Sequence, residues 1–291
     1  MEYFLENDTL KLKIASHGAE MKSLIKKSTG IEYLWKADPA YWGRTAPVLF
    51  PIVGRVVDDN YTVDGKKYEM HQHGFARDNE FDVVSQSDTE ITFSLKSNSS
   101  LIKLYPYDFE LLISYKLTGN TLSVTWTVKN PSNDVIYYSL GGHPAFACPL
   151  NDDEKQSDYS IYVETDNDEL TCAEFDDGYV TGNTYKLPLD NKKISITPHL
   201  FDNDALVVEN HQAQKVSLLD ASDNEYLSVS FDAPVFGLWS CPGKEAPFVC
   251  IEPWYGRCDN KNFNGDFKDR EWGNTLNPNE EFNGGFTVEI R

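Results

Sequence analysis

Four short stretches of this 291-residue chain hold side chains that move protons or grip polar ligands. The first is Ser139-Leu-Gly-Gly-His-Pro-Ala-Phe146, in which His143 sits between two glycines and a proline. The glycines allow a tight bend and close backbone approach to a ligand. The proline withholds a donor, so the segment is not the middle of an ordinary strand. An imidazole on such a bend suits proton transfer near neutral pH. The second stretch is Phe248-Val-Cys-Ile-Glu-Pro-Trp-Tyr-Gly256, where an apolar strand runs into Glu252. A carboxylate there is costly unless it is paired or used. The third, Arg44-Thr-Ala-Pro-Val-Leu-Phe-Pro-Ile-Val-Gly-Arg55, is an apolar strand bounded by prolines that ends on Arg55. The fourth, His71-Gln-His-Gly-Phe-Ala-Arg77, sets His73 before a glycine, with Arg77 following.

Each stretch also has a plainer reading. His143 would bond a backbone carbonyl in a buried turn, and Arg55 would pair with one of many acids at a strand end. Glu252 would form a structural ion pair with Arg55 or Arg77. His71 and His73, two apart, could share a strand face as metal ligands, but no third ligand stands at motif spacing. No metal or cofactor is expected. The chief candidates in the four stretches are two imidazoles, His143 and His73, one carboxylate, Glu252, and two guanidiniums, Arg55 and Arg77. Phe75, Phe146, Trp239, Trp254 and Tyr255 lie close to them in sequence. Forked polar groups beside flat apolar faces suit a sugar.

Strands must position these groups. Leu10–Ile14 and Phe286–Ile290 alternate apolar and polar residues, as half-buried strands do. Phe109, Leu111, Ile113, Tyr115 and Leu117 share one face, as do Leu122, Val124, Trp126 and Val128, and Thr118-Gly-Asn120 between the two runs predicts a hairpin. A second hairpin is expected where residues 215–219 and 226–231 flank Ser222-Asp-Asn224. No window carries a helical apolar period over three turns. The expectation is an all-β chain: one large antiparallel β-sandwich over residues 1–291. Residues 152–187, acidic and turn-rich, read as an excursion over the surface.

Composition narrows the partners. The chain is 40% hydrophobic and rich in aromatics, with 16 Tyr, 16 Phe and 6 Trp, enough for a sizeable core. Its formal net charge of -20 repels nucleic acid and anionic membranes and favours a neutral ligand. Five scattered cysteines fit neither a disulfide framework nor a zinc motif. With no leader-like or membrane-spanning run, a soluble cytoplasmic protein, monomer or homodimer, is expected.

At these motifs the chain resembles the aldose 1-epimerase (galactose mutarotase) superfamily, most closely its LacX-like bacterial branch. The resemblance rests on Pro47–Arg55, His73–Arg77, Tyr105-Pro-Tyr-Asp-Phe109, Gly142–Phe146 and Cys250–Gly256, in that order, and spans nearly the whole chain. It implies a large sandwich with a sugar cleft on a concave sheet. Glu252 would be the general base and His143 the general acid. His73, Arg55, Arg77 and Trp254 would contact the sugar. Asp204, with Asp202 competing, would be the sugar-binding aspartate. Gly54 before Arg55, His73-Gly-Phe and Gly-Gly-His143-Pro depart from the galactose enzymes and bear on the hydroxyl contacts.

Interconversion of anomers removes a proton from the C1 hydroxyl while the ring oxygen gains one. The expected starting state is therefore a glutamate anion and an imidazolium, which the acidic surroundings would favour. The two groups are expected to face one cleft, about the width of a pyranose apart. Two other readings stay open: a hexose-6-phosphate 1-epimerase, if arginines such as Arg77, Arg55 and Arg44 converge, and a sugar-binding protein without catalysis. A glycosidase, which needs two carboxylates flanking the bond, is disfavoured with only Glu252 in evidence.

Overall fold

The computed structural model describes residues 1–151 and 153–291, and among them there is no α-helix. The alternating segments form strands where the pattern places them. Glu110–Thr118 pairs with Thr121–Lys129 from Thr118↔Thr121 outward, so Gly119-Asn120 is a two-residue turn. Lys215–Leu219 pairs with Glu225–Phe231 in the second hairpin. All the strand ladders are antiparallel, and they build two large sheets of nine and eight strands, with a four-stranded sheet formed by the first 32 residues. The result is a large antiparallel β-sandwich.

The sheets pack through aromatic side chains. Trp126 and Phe286 of the nine-stranded sheet fill the space beneath Gly142 of the other, and Trp126 meets Tyr255 edge-on at 6.5 Å. The eight-stranded sheet is covered on both faces. On strand Phe248–Tyr255, Val249 and Ile251 join the main core, whereas Cys250 and Trp254 belong to two smaller apolar clusters on the outer face. Double coverage explains why this strand reads as an unbroken apolar run, and alternation puts Glu252 on the outer face between those clusters.

Residues 152–187 need correction, though Asp152 itself lies outside the described residues. They are not a loose excursion: Ser160–Val163 and Glu169–Asp176 are strands, and Tyr179–Pro188 completes a long hairpin with the latter. A register shift between Ala173 and Phe175 and an exposed edge from Asn183 to Lys186 break the alternation that would have revealed them.

Candidate active site

Strand Phe248–Tyr255 pairs with Leu140–Gly142 on one stretch and Ala145–Ala147 on the next, with Leu140↔Tyr255, Gly141↔Trp254 and Ala145↔Cys250. Pro144 interrupts the ladder without shifting it. Continued through the gap, this register sets His143 directly opposite Glu252. The two side chains therefore emerge side by side on the outer face, with His143 Nδ1 3.4 Å from Glu252 Oε1. On the other flank Glu252 faces Gly237, whose missing side chain leaves room for the Trp254 indole across it.

The pair is closer than a pyranose width, which corrects the expectation. The two oxygens to be served are bonded to the same carbon, so the groups serving them need not stand apart. Both are buried, His143 to 8% and Glu252 to 1% exposure. Among the described residues no arginine pairs with Glu252, and His143 Nδ1 and Glu252 Oε2 lack hydrogen-bond partners. Unpartnered buried polar atoms are expensive in a fold and mark a place where a ligand supplies the missing bonds.

A cleft of 410 Å³ opens over the pair, within the range of about 300–1,000 Å³ usual for small-molecule sites. His73, Arg77, Asp204 and Trp254 line it, together with Arg44, Gln72, Trp42 and Trp239. Trp42 stacks on the His143 ring at 4.6 Å and Trp239 meets it edge-on at 5.5 Å, fixing the imidazole plane. The loop that carries Arg44 is tied down by buried Glu20, whose Oε1 accepts from the Thr45 and Ala46 amides.

His73 adopts φ +67°, a region an L-residue enters at a cost of about 1–2 kcal/mol. Reciprocal bonds hold it there: its amide donates to the Gly54 carbonyl at 2.7 Å and its Nδ1 accepts from the Gly54 amide at 3.1 Å. Nδ1 is thus an acceptor, and the ring proton of the neutral form sits on Nε2. His71 is exposed beside Asp59 and Glu69 in an irregular segment and shares no strand face with His73.

Two expected contacts are sorted by the structure. Arg55 is not among the residues lining the cleft. After Gly54, at φ +69°, its side chain leaves toward the Tyr179 ring, 5.2 Å away, toward Asp59, and toward the Asp177 carbonyl, where it borders a neighbouring hollow. Asp204 lines the cleft, whereas Asp202 bonds His199 at 2.8 Å and borders only that hollow. Of the aromatics picked from sequence, Trp239 and Trp254 reach the cleft and Phe75 and Phe146 are core. Trp42 and Gln72 were missed because they lie in segments without periodicity.

The charge state also departs from expectation. Burial, reinforced by the charges of Arg77 and Arg44, pushes His143 down to about 3, and burial with the same neighbours holds His73 well below the usual histidine range. Burial and the Asp204 carboxylate hold Glu252 well above the usual range against the opposing influence of Trp254. Burial thus favours the neutral form of each group, a carboxylic acid beside a neutral imidazole, over the ion pair. Desolvation is the largest cause at both groups, joined by the Arg77 and Arg44 guanidiniums at His143 and by the Asp204 carboxylate at Glu252.

A stability effect follows for His143. Its folded value is depressed, so its contribution is complete above the unfolded value near 6.5 and is lost as pH falls toward 3. Between pH 7 and pH 5 that loss is about 2 kcal/mol at 1.36 kcal/mol per pH unit. Urea unfolding at both pH values should show a loss smaller by about that amount in His143→Gln. Equal losses in the two proteins would mean that the folded state protonates His143.

Comparison with known proteins places these features in context. The family model described as Aldose 1-epimerase matches residues 1–289. The chain is 33% identical over 261 residues to the chromosomal protein LacX of Lactococcus lactis subsp. lactis, with 87% of each chain covered. A galactose mutarotase related enzyme from Lactobacillus acidophilus superposes with a TM-score of 0.94 at 37% identity, over 100% of this chain and 97% of that one. A galactose mutarotase-like protein from Lactobacillus casei gives 0.93 at 31% identity, over 100% of both chains.

Proposed function

Because the chain belongs to the aldose 1-epimerase family, we propose that it interconverts the α and β anomers of a free hexose by acid–base opening of the pyranose ring. The observation that carries this reading is the juxtaposed His143–Glu252 pair under a sugar-sized cleft, with unpartnered atoms on both. A bound sugar supplies hydrogen bonds to those atoms and favours the charged form, with glutamate as anion and imidazole as cation. Glu252 then takes the C1 hydroxyl proton as His143 delivers one to the ring oxygen. The C1–ring oxygen bond breaks with its electrons on oxygen, and C1 becomes a carbonyl. After rotation about C1–C2 the steps reverse on the other face, and each group regains its starting state. Each contributes about 10²–10⁴-fold when positioned.

His73, Asp204 and Trp254 are the proposed sugar contacts, and the five free, buried cysteines fit a reducing compartment such as the cytoplasm. Nuclear magnetic resonance exchange between anomers of glucose, galactose and their 6-phosphates tests the reading. Binding without accelerated exchange in any of them would overturn it in favour of a sugar-binding protein.

A second reading is supported by Arg44 and Arg77, which line the same cleft. Burial and the neighbouring Arg44 lower Arg77 to about 10, and its buried Nε has no hydrogen-bond partner, with Asp78 Oδ2 standing off at 3.9 Å. An anion would relieve both costs, so a hexose 6-phosphate is the alternative substrate. Inorganic phosphate should then inhibit competitively, and Arg77→Gln should raise KM for the phosphorylated sugar at least tenfold while leaving free-hexose exchange within about twofold. No inhibition by phosphate would exclude this reading.

A further inference from the structure

Cys250 lies two residues before Glu252, on the same face of the strand. Its position opposite Ala145 brings it beneath His143, two residues away from that partner. Ligand atoms of His143, Cys250 and Glu252 all lie within 4.8 Å of one another, and all three residues are buried. We propose that these side chains form a three-ligand site for a soft divalent ion, Zn²⁺ or Cd²⁺, at the edge of the cleft.

The geometry is near what such an ion needs. Zinc holds nitrogen and oxygen at about 2.0–2.2 Å and sulfur at about 2.3 Å in a tetrahedron, which separates ligand atoms by about 3–4 Å. His143 Nδ1 and Glu252 Oε1 already stand at 3.4 Å, and with the thiol all the ligand atoms lie within 4.8 Å of one another, so a small movement closes the set. His143 Nδ1 and Glu252 Oε2 are buried and unpartnered, so binding breaks no hydrogen bond at either. A neutral imidazole, a thiolate and a carboxylate cancel the charge of a divalent ion, which lets it sit near Arg44 and Arg77 without repulsion from a net cation. His143 and Glu252 line the cleft, which gives an ion a route to the site from solvent. Thiolate selects soft ions over Mg²⁺ or Ca²⁺. The bound ion forces the thiol proton, and the Glu252 proton where present, into solvent, so binding tightens as pH rises.

The inference concerns the sugar-free protein and stands or falls apart from the epimerase reading. The test titrates that protein with Cd²⁺, following the thiolate-to-cadmium charge-transfer absorption, and with Zn²⁺ by calorimetry. The expected result is one ion per chain, an absorption that saturates with it, and tighter binding at pH 8 than at pH 6. Losing even an outer partner of a metal ligand costs about 10–100-fold in affinity, so Cys250→Ala should lose the absorption and weaken binding by at least as much. Cys250→Ser keeps the side-chain volume and should behave alike. No saturating absorption in the wild type, or an absorption that survives both variants because another of the five cysteines produces it, would overturn the site.

Discussion

Glu252→Gln should abolish anomer exchange, lowering kcat by about 10²–10⁴-fold, while leaving the fold intact. The amide keeps the shape of the carboxyl but cannot take the C1 proton. Its effect on stability has the opposite sign. The folded carboxyl is raised above its ordinary value, so its contribution is fully present below the unfolded value near 4.5 and is lost as pH rises through the folded one. Above that range the wild type must either ionise a buried group or hold a proton that the unfolded chain has released. Glutamine has neither cost. The variant should therefore be inactive yet at least as stable at pH 8, a trade-off common at active sites. Polarimetry of a freshly dissolved anomer beside a urea titration measures both. Wild-type exchange in the variant would remove Glu252 from the chemistry.

Gly74→Ala should be the most damaging small change in the chain's fold near the site. Gly74 has φ +71°, and a β-carbon there would stand 2.3 Å from the Phe50 carbonyl oxygen and 2.7 Å from the Pro51 nitrogen. These are backbone atoms, so no side chain can swing aside. The same carbonyl accepts from the Phe75 and Ala76 amides, and the His73 carbonyl accepts from Phe50. Left-handed strain of about 1–2 kcal/mol and overpacking of about 1–3 kcal/mol add to a loss of about 3 kcal/mol or more. At about 2–4 °C per kcal/mol, Tm should fall by roughly 6–12 °C. Gly43→Ala is the control, since its φ is ordinary and nothing lies within 4 Å of the added carbon. A Gly74→Ala protein melting with the wild type would show that the turn has other solutions. Because the turn carries His73, whatever folded protein remains should also exchange anomers more slowly.

Strand positions and the chemistry-bearing residues could be read from sequence for one physical reason: alternation and turn chemistry are local. Leu111, Ile113 and Tyr115 declare their shared face within five residues, and Glu252 is conspicuous because its own strand is apolar. What could not be read depends on pairing between distant strands. The register that sets His143 beside Glu252, and Cys250 beneath both, appears only once strand Phe248–Tyr255 has found its partner more than a hundred residues earlier. The charge state is further removed still. It depends on how completely the apolar clusters on either side exclude water and on which charged groups line the cleft, and here burial outweighs both. Arg55 shows the same limit: the resemblance implied a sugar contact, and only the fold shows its guanidinium beside Asp59 and Asp177, bordering a hollow that adjoins the cleft. The edge hairpin of Glu169–Pro188 was hidden by its bulge and its solvated residues.

The interlocked register of the two strands has a consequence for how the protein can diversify. His143 and Glu252 are held by ladder pairings that cannot slip by one residue without burying the whole outer face. Gln72, Arg44 and Arg77 instead reach the cleft from irregular segments and one short turn. On the proposed mechanism the reaction is carried on the part of the molecule least able to vary, and the choice of sugar on the part most able to. Selection could retune the rim for a phosphate, a different hydroxyl pattern or a larger sugar one substitution at a time, while the proton-transfer step passes unchanged through every intermediate.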